Sequence, residues 1–272
     1  MKKVVLNISA MLFGVAMFAQ ANLSFVNQTG LGNMSNVDQF GLLNGSNVDQ
    51  NGRFNKAEVD QIGALNGSEI DQLGRRNDAK VDQLGIGNYS NVNQDGRRNE
   101  ADVNQFGVGN DSDIDQYGRR NSSTVNQLGF TNEANVLQVG FDNTASILQV
   151  GIDNRADQVQ FGIDNNATAI QFGEDNYSLQ SQAGENNTAL AVQLGEGNQS
   201  YQLQLGEDNS AVHLQDGQSN LAITSQNGEQ NFSLIVQDGA LNGALTTQTG
   251  QLHMSFVNQT GIGNISLVNQ SN

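Results

Sequence analysis

Residues 127–138 read QLGFTNEANVLQ, a stretch that begins and ends on glutamines eleven residues apart. The same spacing runs through the chain, because a glutamine recurs at every eleventh residue from Gln28 to Gln270, twenty-three times without a slip. Counted from each glutamine as position 0, position +2 is glycine as far as Gly261, position +5 is asparagine except at His253, and position −4 is alanine or serine. A repeat this short and this regular indicates a solenoid of stacked units.

The residue types decide between two ways of folding an eleven-residue repeat. A right-handed helical coiled coil has this period, but every unit carries a glycine, which costs about 1 kcal/mol in a helix interior. In the first half, position −2 holds valine or isoleucine, from Val26 to Ile147. A small residue at −4, a β-branched residue at −2 and glutamine at 0 alternate as one face of a strand does. We predict strands of five or six residues, with turns bracketed by the glycine at +2 and the asparagine at +5.

A second period, of twenty-two residues, shows how the units stack. Position +3 is arginine in alternate units from Arg53 to Arg119, and apolar in the intervening units from Leu42 to Phe130. Two units therefore make one rung, and each strand pairs in parallel with the strand two units later. We predict an all-β chain, a β-solenoid of about eleven rungs with two parallel cross-β sheets over residues 22–272. Stacked glutamines would then bond from rung to rung, which satisfies their buried amides.

The composition fits a core made of polar residues. Hydrophobic residues make up 36% of the chain and charged residues 15%, and proline and cysteine are absent. Without proline, every backbone N–H can join a strand ladder. Without cysteine, there is no disulfide framework and no thiolate metal site. The net charge of −16 argues against electrostatic binding of nucleic acid.

The pattern changes in the second half of the chain. From Gln158 to Gln202, position −2 alternates between glutamine and alanine, while apolar residues move to −3 and −1, as in Leu190 and Val192. The −2 alternation would fill a narrow interior with a large side chain opposite a small one. The apolar outward face is either a surface for lateral contact between sheets or a surface that a further layer covers.

Charged residues leave two further questions open. Basic residues end at Arg155, and the turn position that holds the arginines holds Glu185, Glu207 and Glu229 in later rungs. This polarity either sets the register between molecules or is a solvated edge. The aspartates at position −1 either bind Ca²⁺ between rungs or face solvent, and they are Asp38, Asp49, Asp60, Asp71 and Asp82.

Residues 1–21 have the order of a secretory signal peptide. Lys2 and Lys3 precede an apolar run from Val4 to Phe18, and small residues follow at Ala19 and Ala21. The run is too short and too interrupted for a spanning helix, which needs about 20 apolar residues. We therefore predict export, with residues 1–21 as the signal and residues 22–272 as one repeat domain.

The unit Q-x-G-x-x-N-x-[AS]-x-x-x-Q resembles the curlin repeat of curli, the bacterial extracellular functional amyloid. The resemblance implies a secreted fibre on the bacterial cell surface, with roles in biofilm matrix and adhesion. It also implies certain partners: further copies of the chain, a nucleator subunit, an outer-membrane secretion channel, and host or abiotic surfaces. The positions implied to stack in the amyloid core are Gln28, Gln39, Gln50, Gln61, Gln72, Gln83, Gln127, Gln138, Gln160, Gln193, Gln259, Gln270, Asn33, Asn44, Asn132, Asn264, Gly30, Gly41, Gly129 and Gly261.

The two ends of the repeat array carry the same sequence. Residues 24–30 and residues 255–261 both read SFVNQTG. We expect no capping element, so the terminal strands would expose unpaired backbone groups and stack on other copies, although shared ancestry of the repeats also explains the identity. The residues predicted for terminal self-association are Ser24, Phe25, Val26, Ser255, Phe256 and Val257.

An enzyme is the least favoured function. Catalysis needs unlike groups that converge at a break in the repeat, whereas the only histidines, His213 and His253, lie about two rungs or more apart. We expect no cofactor and no metal. The alternative to a fibre subunit is a secreted monomeric β-solenoid that binds ice or glycans, or a fibre nucleator.

Overall fold

The computed structural model describes residues 21–272, so all of the predicted signal peptide except Ala21 lies outside the described residues. The described chain forms twenty-three strands that alternate between two sheets. The odd sheet contains, in order, β1 (Leu23–Leu31), β3 (Gly45–Arg53), β5 (Gly67–Arg75), β7 (Tyr89–Arg97), β9 (Asp111–Arg119), β11 (Glu133–Phe141), β13 (Arg155–Ile163), β15 (Tyr177–Glu185), β17 (Gln199–Glu207), β19 (Leu221–Glu229), β21 (Gly243–Gln251) and β23 (Ile265–Ser271). The even sheet contains β2 (Met34–Leu42), β4 (Lys56–Ala64), β6 (Asp78–Ile86), β8 (Glu100–Val108), β10 (Ser122–Phe130), β12 (Thr144–Ile152), β14 (Asn166–Glu174), β16 (Thr188–Glu196), β18 (Ser210–Gln218), β20 (Phe232–Ala240) and β22 (Met254–Ile262).

Each strand pairs in parallel with the strand two units later, in a register that places identical repeat positions side by side. Strand β10 lies between β8 and β12, so Gln127 stands between Gln105 and Gln149. The same twenty-two-residue register joins β1 to β3 and β21 to β23. The predicted fold, a β-solenoid of about eleven rungs with two parallel sheets, is confirmed.

The core lies between the two sheets and is filled by positions −4, −2 and 0. In the first half, fully buried valines and isoleucines from Val48 to Ile147 meet at position −2. Later, buried Gln158 and Gln180 of the odd sheet replace them, while the even sheet contributes buried Ala169 and Ala191. A large residue on one sheet is thus matched by a small one on the other, as the sequence predicted.

The strands are longer than predicted. Most have nine residues and run from position −5 to position +3, so that only two residues remain between consecutive strands. The glycine at +2 lies inside the strand rather than at its end; Gly129, for example, has a φ of +130° and still pairs with Gly107 and Gly151. A bend shared by every strand of the sheet preserves the ladder, because each glycine stacks on another.

Asparagine at +5 lies in the two-residue connection between strands, as predicted, but it does not supply the left-handed backbone conformation of the turn. Within residues 21–272, the second left-handed residue of each unit is at +4, one residue before the asparagine. Leu65, Arg98 and Asp142 are examples, with φ values of 60°, 60° and 59°. The asparagines at +5 take ordinary backbone conformations and are buried from Asn44 to Asn242. Their side chains therefore have a different purpose, described below.

All regular elements of the described chain are strands. No helix that could cross a membrane occurs among residues 21–272.

Candidate functional site: side-chain ladders and end rungs

The glutamines form two continuous ladders, one in each sheet. Each side-chain amide nitrogen donates to the amide oxygen of the glutamine twenty-two residues later: the distance from Gln127 Nε2 to Gln149 Oε1 is 2.9 Å, and that from Gln138 Nε2 to Gln160 Oε1 is 2.8 Å. The second N–H of the same amide donates to a backbone carbonyl, as Gln127 does to Asp111 at 2.8 Å. These buried amides are therefore satisfied, and a slip of one residue would leave them without partners.

The predicted stacking glutamines divide between the ladders by strand parity. The odd-sheet ladder contains Gln28, Gln50, Gln72, Gln138, Gln160 and Gln270. The even-sheet ladder contains Gln39, Gln61, Gln83, Gln127, Gln193 and Gln259. Direct bonds join the members that stand on adjacent rungs, such as Gln28 to Gln50 at 2.6 Å and Gln237 to Gln259 at 2.9 Å.

The asparagines form a second pair of ladders, at the turns. The backbone N–H of Asn132 donates to Asn110 Oδ1 at 3.1 Å, and Asn132 Nδ2 donates to the same oxygen at 3.0 Å. Asn132 Nδ2 also donates to the carbonyl of Gly151 at 3.1 Å. Each asparagine thus accepts and donates at once, which an aspartate could not do. Asn44 and Asn264 make the equivalent bonds, and Asn33 Oδ1 accepts from the backbone of Asn55.

The glycine column allows neighbouring rungs to approach closely. A Cβ atom placed on Gly129 would lie 1.9 Å from the carbonyl oxygen of Gly151, and one on Gly41 would lie 1.9 Å from that of Gly63. No side chain fits there, which explains why the column contains only glycine.

The left-handed position at +4 was missed by the sequence analysis. It carries glycine, aspartate or asparagine in many units, including Gly87, Asp142 and Asn186, which are residues that adopt this conformation at low cost. This enrichment was the available signal. Leucine and arginine at the same position in other units obscured it.

The two histidines do not form a joint site. His213 is fully buried between the sheets, with Nδ1 2.8 Å from Ser200 Oγ and Nε2 2.8 Å from Thr224 Oγ1. His253 stands in an asparagine position at a turn, where its backbone N–H bonds to Asn231 Oδ1 at 3.1 Å. Burial lowers the pKa of His213 to about 3, so the imidazole is neutral in the folded chain.

Acid should destabilise the chain through His213. An unfolded imidazole has a pKa near 6.5, so between about pH 6.5 and 3 the unfolded state binds a proton that the folded state excludes. The free energy of unfolding should fall by about 1.4 kcal/mol per pH unit, or about 2 kcal/mol at pH 5. His213→Ala, which places alanine where the preceding rung has Ala191, should remove this loss.

Denaturant midpoints at pH 7 and pH 5 measure the effect. His253→Ala, at the half-exposed turn, is the matched control and should keep the acid sensitivity of the natural sequence. Carboxyl groups titrate alike in all three chains, so they cancel in the comparison. An equal acid response in His213→Ala and the natural chain would contradict the prediction.

The aspartate column predicted as a Ca²⁺ site divides between the two sheets. Asp49 and Asp71 lie on the outer face of the odd sheet, whereas Asp38, Asp60 and Asp82 lie on that of the even sheet. Within residues 21–272, no group of three or more metal-ligating side chains is suitably placed to hold a metal ion. Desolvation and the charge of Asp49 raise the pKa of Asp71, which is the behaviour of crowded carboxylates.

The two end rungs leave ladder groups unused. Strand β1 is the first strand of the odd sheet and is exposed along its whole length, including Ser24, Phe25 and Val26. Strand β22, with Ser255, Phe256 and Val257, is the last strand of the even sheet. The side-chain N–H groups of Gln259 and Gln270 donate only to backbone carbonyls. The ladders thus end on glutamine oxygens at the β1 end and on glutamine N–H groups at the β22 end.

A comparison of the sequence with protein families identifies the same repeat. The curlin associated repeat matches residues 96–129 and residues 132–162. These two segments of the chain carry curlin repeats. No curated protein matches the chain. Outside the two matched segments, the chain keeps the same ladder bonds from Gln28 to Gln270, so the repeat extends across all the described strands.

Proposed function

We propose that this protein is the structural subunit of a secreted, curli-like amyloid fibre on the bacterial cell surface, and that it grows by end-to-end stacking of solenoids. The observation that carries the proposal is the complementarity of the two end rungs. One end offers unused glutamine oxygens and the other offers unused glutamine N–H groups, and both ends expose strand edges.

The strand count favours one register for the stacking of copies. Since twenty-three is odd, the next strand position after β23 lies in the even sheet, on β22. Strand β1 of the incoming copy occupies it, and its β2 then continues the odd sheet on β23. Stacking β1 on β23 instead would leave one strand position of the even sheet empty. Consecutive subunits are therefore related by a half-turn about the fibre axis.

This register places the identical end sequences on each other. Residues 24–30 of the incoming copy lie on residues 255–261, so Phe25 stacks on Phe256 and Val26 on Val257. Gln259 Nε2 then donates to Gln28 Oε1 of the incoming copy, as Gln237 donates to Gln259 inside the chain at 2.9 Å. The junction repeats an internal rung, so growth needs no rearrangement of either subunit.

The partners of such a fibre follow from the family. A curli-like subunit is exported through an outer-membrane channel, polymerises on a nucleator subunit, and supports biofilm matrix and adhesion to host or abiotic surfaces. The curlin repeats at residues 96–129 and 132–162 support a structural rather than an enzymatic role. The signal peptide predicted at residues 1–21 supports export.

Fibre diffraction and an amyloid dye test the proposal directly. Purified residues 21–272 should assemble into dye-binding fibres with a meridional reflection near about 4.7–4.8 Å. Electron microscopy should show subunits alternating by a half-turn. A chain that stays a folded monomer at high concentration would overturn the proposal and favour the monomeric binding module.

A further inference from the structure

One edge of the solenoid carries two blocks of opposite charge. This charged edge consists of the turns that follow strands β3 to β19 of the odd sheet, at positions +3 and +4. Its basic block lies on four rungs and contains Arg53, Arg75, Arg76, Arg97, Arg98, Arg119 and Arg120. Its acidic block lies on the next five rungs and contains Asp142, Asp164, Glu185, Glu207, Asp208 and Glu229.

Backbone bonds hold these side chains in a straight row. The N–H of Arg98 donates to the carbonyl of Arg75 at 3.1 Å, and the N–H of Asp208 donates to the carbonyl of Glu185 at 3.0 Å. Rungs follow one another at about 4.8 Å, so the four-rung basic block spans roughly 14 Å and the five-rung acidic block roughly 19 Å. The backbone positions of these charged residues are therefore fixed in register along the edge.

The two blocks are almost unneutralised within the described chain. Among residues 21–272, Arg120 forms an ion pair with Asp142, and the other six arginines form none. The pKa of Arg97 is lowered, first by the charge of Arg98 and then by desolvation and the charge of Arg119. Such a shift is expected where like charges lie close together. Lys56 forms an ion pair with Asp78 where β4 and β6 begin, and Glu100 occupies the same register position at the start of β8.

We propose that two copies of this chain pair side by side in antiparallel orientation through their charged edges. A two-fold axis perpendicular to the solenoid, passing by the turn after β11, places the rungs of β9, β7, β5 and β3 opposite those of β13, β15, β17 and β19. Each of the four arginine rungs of one copy then faces an acidic rung of the second copy, and the two-fold axis repeats this set of contacts with the roles of the copies exchanged. Such a self-complementary surface is what a two-fold interface requires.

Other occupants fit this edge less well. A parallel, in-register copy would place like charges opposite each other. A polyanion would gain from the basic block but would be repelled by the acidic block in the same row and by a net charge of −16. The pairing does not depend on end-to-end growth, although the half-turn between stacked subunits would present the edge on alternate sides of a fibre.

Single-cysteine cross-linking tests the orientation, since the chain has no cysteine of its own. Phe141 lies on the charged edge at the proposed axis and is 48% exposed. In Phe141→Cys, the two thiols of a pair would adjoin, so oxidation or a short bismaleimide should give a covalent dimer at about 20 mM salt but not at about 1 M, where the Debye length falls to about 3 Å. Phe130→Cys is the matched control, because Phe130 is 54% exposed on the opposite edge.

Charge reversal tests the chemistry. An acidic-edge variant carries R53E, R75E, R97E and R119E with R76D and R98D, and a basic-edge variant carries D164R, E185R, E207R, D208R and E229R. In the Phe141→Cys background, each variant alone should give at least about tenfold less covalent dimer, because like charges then face each other. A one-to-one mixture of the two should restore it, while K80E with R155E, away from the edge, should leave it unchanged.

The outcomes separate this pairing from end-to-end growth. Cross-linked dimers are counted on gels, and elongation is followed in parallel by an amyloid dye, so either property can fail alone. Equal dimer from Phe141→Cys and Phe130→Cys would overturn the pairing. So would a dimer that survives in the acidic-edge variant alone, or heparin binding by the arginine block without any dimer.

Discussion

Val26→Pro should stop end-to-end growth of the protein while leaving the solenoid folded. Successive backbone N–H groups of a strand point to opposite sides. The N–H of Leu23 donates to the carbonyl of Asn44, directly before β3, at 2.8 Å. Three residues later, the N–H of Val26 therefore points away from β3, toward an incoming copy. Proline removes this donor and fills the docking position. Loss of this ladder hydrogen bond leaves a buried backbone group of the neighbouring copy without a partner, which should cost about 1–3 kcal/mol and slow extension by roughly ten- to hundredfold.

The same variant should block one fibre end only. Strands β22 and β23 of the variant are intact, so the variant can add to the exposed β1 of a growing fibre. The fibre end then consists of the variant's own β1, on which no further copy can stack. Substoichiometric Val26→Pro should therefore halt that end while the other end keeps growing, which microscopy of seeded fibres resolves. Val26→Ala keeps the N–H and is the control for the lost side chain. Growth of the proline variant at the natural rate would contradict head-to-tail stacking through β1.

Gly129→Ala should have the largest effect on the stability of the fold. The new Cβ would meet the carbonyl oxygen of Gly151 at 1.9 Å, and the φ of +130° is one that alanine rarely adopts. Backbone strain and the forced separation of two rungs should cost at least about 3 kcal/mol. Because each rung contacts only its neighbours, the damage should be confined to the rungs of β8, β10 and β12.

Hydrogen exchange resolved along the chain, together with the denaturant midpoint, measures this effect. Gly243→Ala is the matched control, since Gly243 has no atom within 4 Å of its added Cβ and is not in the left-handed region. That change should stay within about 0.5 kcal/mol of the natural chain. Comparable losses in both variants would show that the close approach of the glycine column is not what excludes a side chain.

Much of the fold could be predicted because its information is local and repeated. A period of eleven with alternating inward positions defines a strand, and the twenty-two-residue alternation of Arg53 and Leu42 at +3 assigns strands to two sheets. The ends of strands were harder, because glycine usually marks a turn. Here the glycine at +2 continues the strand, since an identical glycine lies on the rung above and the rung below.

The candidate site was predictable in its residues but less so in its bonds. Buried glutamines in register have few ways to satisfy their amides, so their ladder followed from the sequence. Asparagine is compatible both with a left-handed turn and with a side-chain ladder, and residue type alone could not separate these roles. The bond from Asn132 to Asn110 decides for the ladder.

The sequence by itself determined the repeating unit, the parallel register and the polar core, because each of these depends on residue identity at a fixed spacing. Only the tertiary structure decided where each strand ends, which turn residue is left-handed, and which side-chain groups remain unused at the two end rungs. These features depend on the bonds between neighbouring rungs: Gly129 continues strand β10 because Gly107 and Gly151 lie beside it, and the direction of the glutamine bonds sets which amide groups remain unused.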